Sequence, residues 1–164
     1  MVKVISLISV ILGCSSFGYI KYLETKDRVR YLTDYRDLIH KLATEISYFK
    51  MPLPEIFSSM QHQLLNICSK YYELEGFPLD VAFAMSIDEY YPKNILTVED
   101  KEILKKVGYF IGKSNWLSQE EHFKLVNMEL NQQIEEAKTI ISTKGNVYKK
   151  MGISIGIVIA IIFI

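Results

Sequence analysis

Residues 28–49 read "RVRYLTDYRDLIHKLATEISYF". Val29, Leu32, Tyr35, Ile39, Leu42, Ile46 and Phe49 recur at steps of three and four, with polar and charged residues between them. This spacing draws one apolar stripe down an α-helix, whereas a half-buried strand would alternate residue by residue. A second stripe of the same kind lies far along the chain, at Phe123, Val126, Leu130, Ile134, Ala137 and Ile141. The two long helices are expected to pack against each other. No convincing strand alternation lies between them, so the expected fold class is all-α, a bundle of about five or six helices.

Prolines, glycines and capping residues divide the stretch between the two stripes. "MPLP" at residues 51–54 ends the first helix, because proline lacks an N–H and disfavours helical backbone in the residue before it. Pro54 suits the first turn of the next helix, near residues 55–60, with room to run on into "QLLNICSKYYELEG". Gly76 and Pro78 break that segment, and "LDVAFAMSIDEYY" forms a further short helix closed by Pro92 and Asn94. Thr97 with Asp100 resembles a capping box, with Asp in place of the preferred Glu, and opens a helix that should end near Gly112. Ser118 with Glu121 is a full capping box opening the longest segment.

Outward from this helical middle, the two ends are apolar. "MVKVISLISVILGCSSFGYIKY" holds an uncharged run over residues 4–20, and about 17 residues is the lower limit for a membrane span. A cleaved signal peptide competes, as does a lipidated Cys14 in "ILGC". The n-region is a single lysine, no A-x-A-like site follows, and the chain stays apolar after Cys14, so a retained helix is the expectation. At the other end, "KKMGISIGIVIAIIFI" carries no charge over residues 151–164. Alone it spans only ~21 Å against a hydrocarbon core of ~30 Å. If the preceding helix runs on through Tyr148, with Gly145 as the weak point, lysine snorkelling and local thinning absorb part of the deficit. Ser9 and Gly13 in the first run, and Gly152, Gly156 and Ala160 in the last, offer small-residue faces through which the two helices can pack.

Lys21, Lys26, Arg28 and Arg30 flank the inner side of the first run, and Lys144, Lys149 and Lys150 that of the last; outside stands only Lys3. The positive-inside rule then places the middle in the cytoplasm. The expected organisation is a transmembrane helix at residues 1–22, a helical bundle at 26–148 and a short transmembrane helix at 149–164.

Composition and motifs exclude more than they assign. With 19 basic and 19 acidic residues the chain has no net charge, against a general nucleic-acid binder. Cys14 and Cys68 are too few for a disulfide framework. His40, His62 and His122 show no metal-type spacing. Residues 47–50 match S-x-x-K, but the companion motifs of the penicillin-recognising enzymes are missing. There is no phosphate-binding glycine loop, so no catalytic residue, metal, cofactor or small-molecule substrate is expected. The 11 tyrosines fit core packing or a partner-binding patch, and Trp116, the single tryptophan, fits a core plug or a partner anchor.

The order of several pieces carries a resemblance. An apolar first helix is followed by "LATEISYFKMPLPEIF", "VGYFIGKSNWLSQEEH", a long amphipathic helix and "GNVYKKMGISIGIVIAIIFI". This resembles the stage III sporulation protein AB family over nearly the whole chain. The most specific residues are Glu45, Ile46 and Tyr48 with the Pro52, Leu53, Pro54, Glu55 turn, then Gly112, Ser114 and Gln119, then Gly145, Tyr148 and Gly152. Asn115 stands where the family commonly has Asp, which puts any charge-dependent role of that position in doubt.

The resemblance implies a non-enzymatic membrane platform or assembly subunit in the mother cell of an endospore-forming bacterium. There it would join the secretion-like channel complex between the mother-cell and forespore membranes. The bundle is similar to the cytoplasmic domain of type II secretion and type IV pilus platform proteins. Such platforms contact a cytoplasmic ATPase, which stage III sporulation protein AA resembles, so that ATPase and the other channel proteins are the implied partners. Glu45, Tyr48, Pro52, Pro54, Glu55, Gly112, Ser114 and Gln119 are then family-motif residues that either contact a partner or fix the first helix corner. Two other readings compete. One is a generic membrane-anchored scaffold or sensor. The other is a membrane enzyme with a pocket joining Glu45, His40 and His122.

Overall fold

The 28–49 stripe lies on α1, Val2–Phe49, which runs without a break through residues 22–26. The computed structural model describes residues 2–49, 52–111 and 116–145, with residues 147, 151, 154, 155, 158 and 159. Within its helices, the side chains of residues 2–12, 14, 15, 17, 18, 47–49, 116–118, 144 and 145 lie outside that description. Five further helices follow: α2 (Leu53–Ser59), α3 (Gln63–Ser69), α4 (Leu79–Tyr90), α5 (Val98–Phe110) and α6 (Trp116–Ile140). Single π-helical turns, Lys70–Leu74 and Ile141–Gly145, follow α3 and α6. Among the described residues there is no strand, so the fold is all-α.

The chain divides into two compact units. One holds Arg30–Ile134; the other combines the two ends, Met1–Val29 and Glu135–Ile164. In the first, the two stripes do what their period requires. Leu32, Tyr35, Leu38, Ile39 and Leu42 of α1 are buried, as are Phe123, Val126, Leu130 and Ile134 of α6. Each such side chain is worth ~1.5–3 kcal/mol relative to exposure. α1 and α6 lie side by side here, with Arg36 Nη1 donating to Asn131 Oδ1 at 3.4 Å.

Between them, α4 packs chiefly against α5 and α3. The α4–α5 contact is close because Gly108 has no side chain. A Cβ at that position would stand 2.8 Å from Cβ of Phe83. Thr97 and Asp100 start α5 as the sequence suggests. Thr97 Oγ1 accepts from the Asp100 backbone N–H (3.1 Å), and an Asp100 carboxylate oxygen accepts from the Thr97 N–H (2.9 Å).

One expectation fails. The helix that opens at Pro54 does not run on into residues 63–76. It stops at Ser59, Gln61 turns left-handed (φ 45°), and α3 begins afresh. His62 restarts it: its backbone is extended, and Nδ1 accepts from the Leu64 N–H at 3.2 Å. A capping histidine leaves no proline or glycine for the eye to find.

Two tyrosines meet in the core. Tyr35 is fully buried and its hydroxyl donates to the Leu104 carbonyl of α5 at 2.6 Å. Its ring stands at 73° to that of Tyr91, 6.4 Å away. Burial pushes the Tyr35 phenol well above its ordinary value, with Tyr91 and Cys68 adding to the shift. Burial likewise pushes the Cys68 thiol up to about 12, against a lowering hydrogen bond with Ser86, so this free thiol stays neutral in the fold. The Tyr91 hydroxyl is buried with no hydrogen-bond partner among the protein groups.

In the unit formed by the chain ends, Lys21 Nζ pairs with Glu24 at 2.7 Å and Lys138 with Glu135 at 2.6 Å. Tyr19, Ile20, Leu23, Val147, Met151, Ile155 and Val158 are exposed apolar residues. Among the described residues, no helix is long and apolar enough to cross a membrane. Most side chains of the two apolar runs lie outside those residues.

The two tyrosines predict opposite outcomes. Tyr35→Phe should lose about 1 kcal/mol in denaturant unfolding, since it deletes a made hydrogen bond. Tyr91→Phe should raise stability by about 1–3 kcal/mol, since it deletes an unmet hydroxyl. Gly108→Ala should cost about 1–3 kcal/mol by forcing α4 and α5 apart, measured in the same way.

Candidate functional site

The stretch "VGYFIGKSNWLSQEEH" falls where α5 gives way to α6, at residues 107–122. α5 turns Val107, Phe110 and Ile111 into the core, which leaves Tyr109 outward and 65% exposed. Phe110 meets Phe123 of α6 edge to face at 5.1 Å, and His122 stacks on its other side at 5.0 Å and 14°. Leu125 and Met128 lie off the buried stripe of α6, 56% and 68% exposed. Lys106, Tyr109, Phe110, His122, Leu125, Val126 and Glu129 line a groove of about 410 Å³. Lys106 Nζ reaches both carboxylate oxygens of Glu129, at 2.8 and 2.7 Å, and closes one edge with no net charge. An apolar floor beside a neutralised rim suits a protein partner's side chain.

A smaller groove of about 220 Å³ lies between α1 and α6, lined by residues that include His40, Glu120, Phe123, Lys124 and Asn127. Lys124 pairs with Glu120 across its edge at 2.8 Å. The Glu120 hydrogen bond and charge raise the Lys124 ammonium above its ordinary value. Asn127 Oδ1 is buried there with no hydrogen-bond partner among the described residues.

The sequence-predicted residues are spread rather than gathered. Glu45 is half-buried on α1. Pro52 is the N-cap of α2, with Pro54 and exposed Glu55 in its first turn, so this trio shapes the α1–α2 corner. Gln119 is buried on α6. Ser9 and Gly13 lie on α1, and Gly13 is exposed. The side chains of Ser9 and Tyr48, and the residues Gly112, Ser114, Gly152, Gly156 and Ala160, lie outside the described residues, as does the Ser118 cap. The three histidines sit apart: His40 in the α1–α6 groove, His122 in the α5–α6 groove and His62 at the start of α3. Glu45 lines neither groove, so neither joins it to His40 and His122 among the described residues. Among the described residues no group of three or more His, Cys, Asp or Glu could hold a metal ion.

Tyr109, Leu125 and Met128 escaped the sequence reading. Their signal was there, as apolar residues standing outside the helical stripe.

Phe110→Ala should cost about 3–5 kcal/mol of unfolding free energy, because it empties the core side of this corner. Leu125→Ser and Met128→Ser should change stability by less than about 0.5 kcal/mol. Thermal or denaturant unfolding separates the two classes.

The family model described as stage III sporulation protein AB matches residues 3–164. No curated protein matches the chain, and no solved structure does.

Proposed function

Because the chain belongs to the stage III sporulation protein AB family, we propose that it is a non-enzymatic platform subunit of a secretion-like channel complex between mother cell and forespore. The apolar ends, residues 1–22 and 149–164, anchor it in the mother-cell membrane. The positive charges inside both ends keep the bundle in the cytoplasm. There it docks the AA-type cytoplasmic ATPase.

The observation that carries this reading is the groove at the α5–α6 corner. It takes Tyr109, Phe110 and His122 from one of the stretches that carry the family resemblance, and it exposes Tyr109 and Leu125 on a water-facing surface. Aromatic side chains beside a concave apolar floor are frequent anchors of protein interfaces, since covering them releases water at little entropic cost. The Lys106–Glu129 pair on the rim adds direction more than affinity.

The test uses the full chain in lipid nanodiscs with the purified AA-type ATPase. Tyr109→Ser combined with Leu125→Ser should weaken binding by about tenfold or more, a loss of ~1.4 kcal/mol or more. Equal binding by this double variant sinks the groove as the docking site. For topology, a cysteine introduced at exposed Glu55 should react with a membrane-impermeant maleimide only after the cells are opened. Labelling of intact cells puts the bundle on the other side. A deletion strain that sporulates normally would favour the generic scaffold.

A further inference from the structure

A second surface lies away from the α5–α6 groove, where the chain passes from α3 to α4. Three apolar side chains stand outward within eight residues: Leu74 at 81% exposure, Phe77 at 37% and Val81 at 40%. The backbone that presents them is unusual. Lys70–Leu74 is a π-helical turn, and Gly76 takes φ 72°, which a side chain would make costly. Single π-helical turns are rare and recur at functional sites, because the wider turn pushes side chains off the packed face.

The same segment is acidic. Glu75 and Glu89 both act on Tyr71, Glu73 lies in the same π-helical turn as Tyr71, and Lys70 Nζ stands 3.9 Å from Glu75 and 5.6 Å from the centre of the Tyr71 ring. Glu73 and Glu89 are held instead by hydroxyls: Ser69 Oγ donates to Glu73, and Tyr71 Oη to Glu89. A hydroxyl fixes a carboxylate in place without neutralising it. The Tyr71 phenol reports the field that results. Its hydrogen bond to Glu89 raises it above the ordinary value, and the charges of Glu89 and Glu75 add to that. The Tyr71 ring also meets Phe77 at 6.3 Å, so Tyr71 touches both Glu89 and an exposed apolar side chain.

We propose that this α3–α4 segment is a docking surface for a basic, amphipathic segment of another protein, which seats apolar side chains on Leu74, Phe77 and Val81 and sets lysine or arginine against Glu73, Glu75 and Glu89. Apolar contact supplies the affinity, and the acidic rim selects the sign of the partner and speeds encounter. The surface is independent of the ATPase groove.

The experiment uses the full chain in zwitterionic nanodiscs and two fluorescent helical peptides of identical pattern, one of Leu and Lys, the other of Leu and Glu. Binding is read by anisotropy against empty discs. The Leu/Lys peptide should bind the natural chain about tenfold more tightly than the combined variant Glu73→Lys, Glu75→Lys, and the preference should fall with added salt. That variant should take up the Leu/Glu peptide instead. Leu74→Ser should weaken the Leu/Lys peptide by about fivefold or more. The Tyr109→Ser, Leu125→Ser double variant should bind it as the natural chain does, so a failed ATPase groove leaves this result standing. Indifference to the glutamate reversals or to Leu74→Ser overturns the proposal. So does concentration-dependent self-association lost in Leu74→Ser, which would make the occupant a second copy of this chain.

Discussion

The seating of α1 against the short helices depends on one buried hydrogen bond, from the Tyr35 hydroxyl to the Leu104 carbonyl. α1 is long and carries its stripe on one side only, so its rotation about its own axis must be set against the short helices. The tyrosine sets it. A fully buried phenol without an acceptor costs roughly 1–3 kcal/mol, and here the Leu104 carbonyl lies within reach. Leu32, Ile39 and Leu42 would bury their apolar area over a range of rotations, since hydrophobic attraction has little direction. The hydrogen bond selects one of them. Burial keeps the phenol protonated, so it stays a donor.

Around that contact the core is assembled from close approaches and aromatic edges. Gly108 lets α5 meet Phe83 of α4. Tyr91 fills the space between Tyr31 and Tyr35 at the cost of an unpartnered hydroxyl. Once α5 is fixed this way, the direction of its last turn is fixed too. Phe110 goes inward against Phe123 and Tyr109 goes outward, and the groove with Leu125 is the consequence. The exposed groove is therefore the reverse side of the core packing. Among the described residues the three histidines are dispersed, and the thiol described, Cys68, is neutral and buried.

Much of this was legible in the sequence. The two stripes are periodic because burial selects every third or fourth residue, and their central members, Leu32 to Leu42 and Phe123 to Ala137 at that spacing, are buried. The Thr97–Asp100 cap was readable because a cap is local, formed by groups three residues apart. Pro52 and Pro54 marked the α1–α2 corner for the same reason, since proline acts on its own backbone. The failure at residues 60–62 is instructive. No proline or glycine stands there, and the break depends on left-handed Gln61 and on the His62 ring capping α3, while its Nε2 lies 3.3 Å from Asp34 of α1. That helper comes from 28 residues away, and no window of sequence contains it.

The sequence by itself determined the all-α class, the apolar ends with their flanking charges, most helix limits and the family, because each rests on residue type, period or order along the chain. The tertiary structure alone decided which apolar residues face outward. Tyr109, Leu125 and Met128, like Leu74, Phe77 and Val81, are as hydrophobic as their buried neighbours. Their exposure depends on where other helices happen to lie. It decided equally that His40 and His122 occupy different grooves, and that Glu75 and Glu89 both act on Tyr71. Composition counts charges and apolar groups, but only distance between helices says which of them act together.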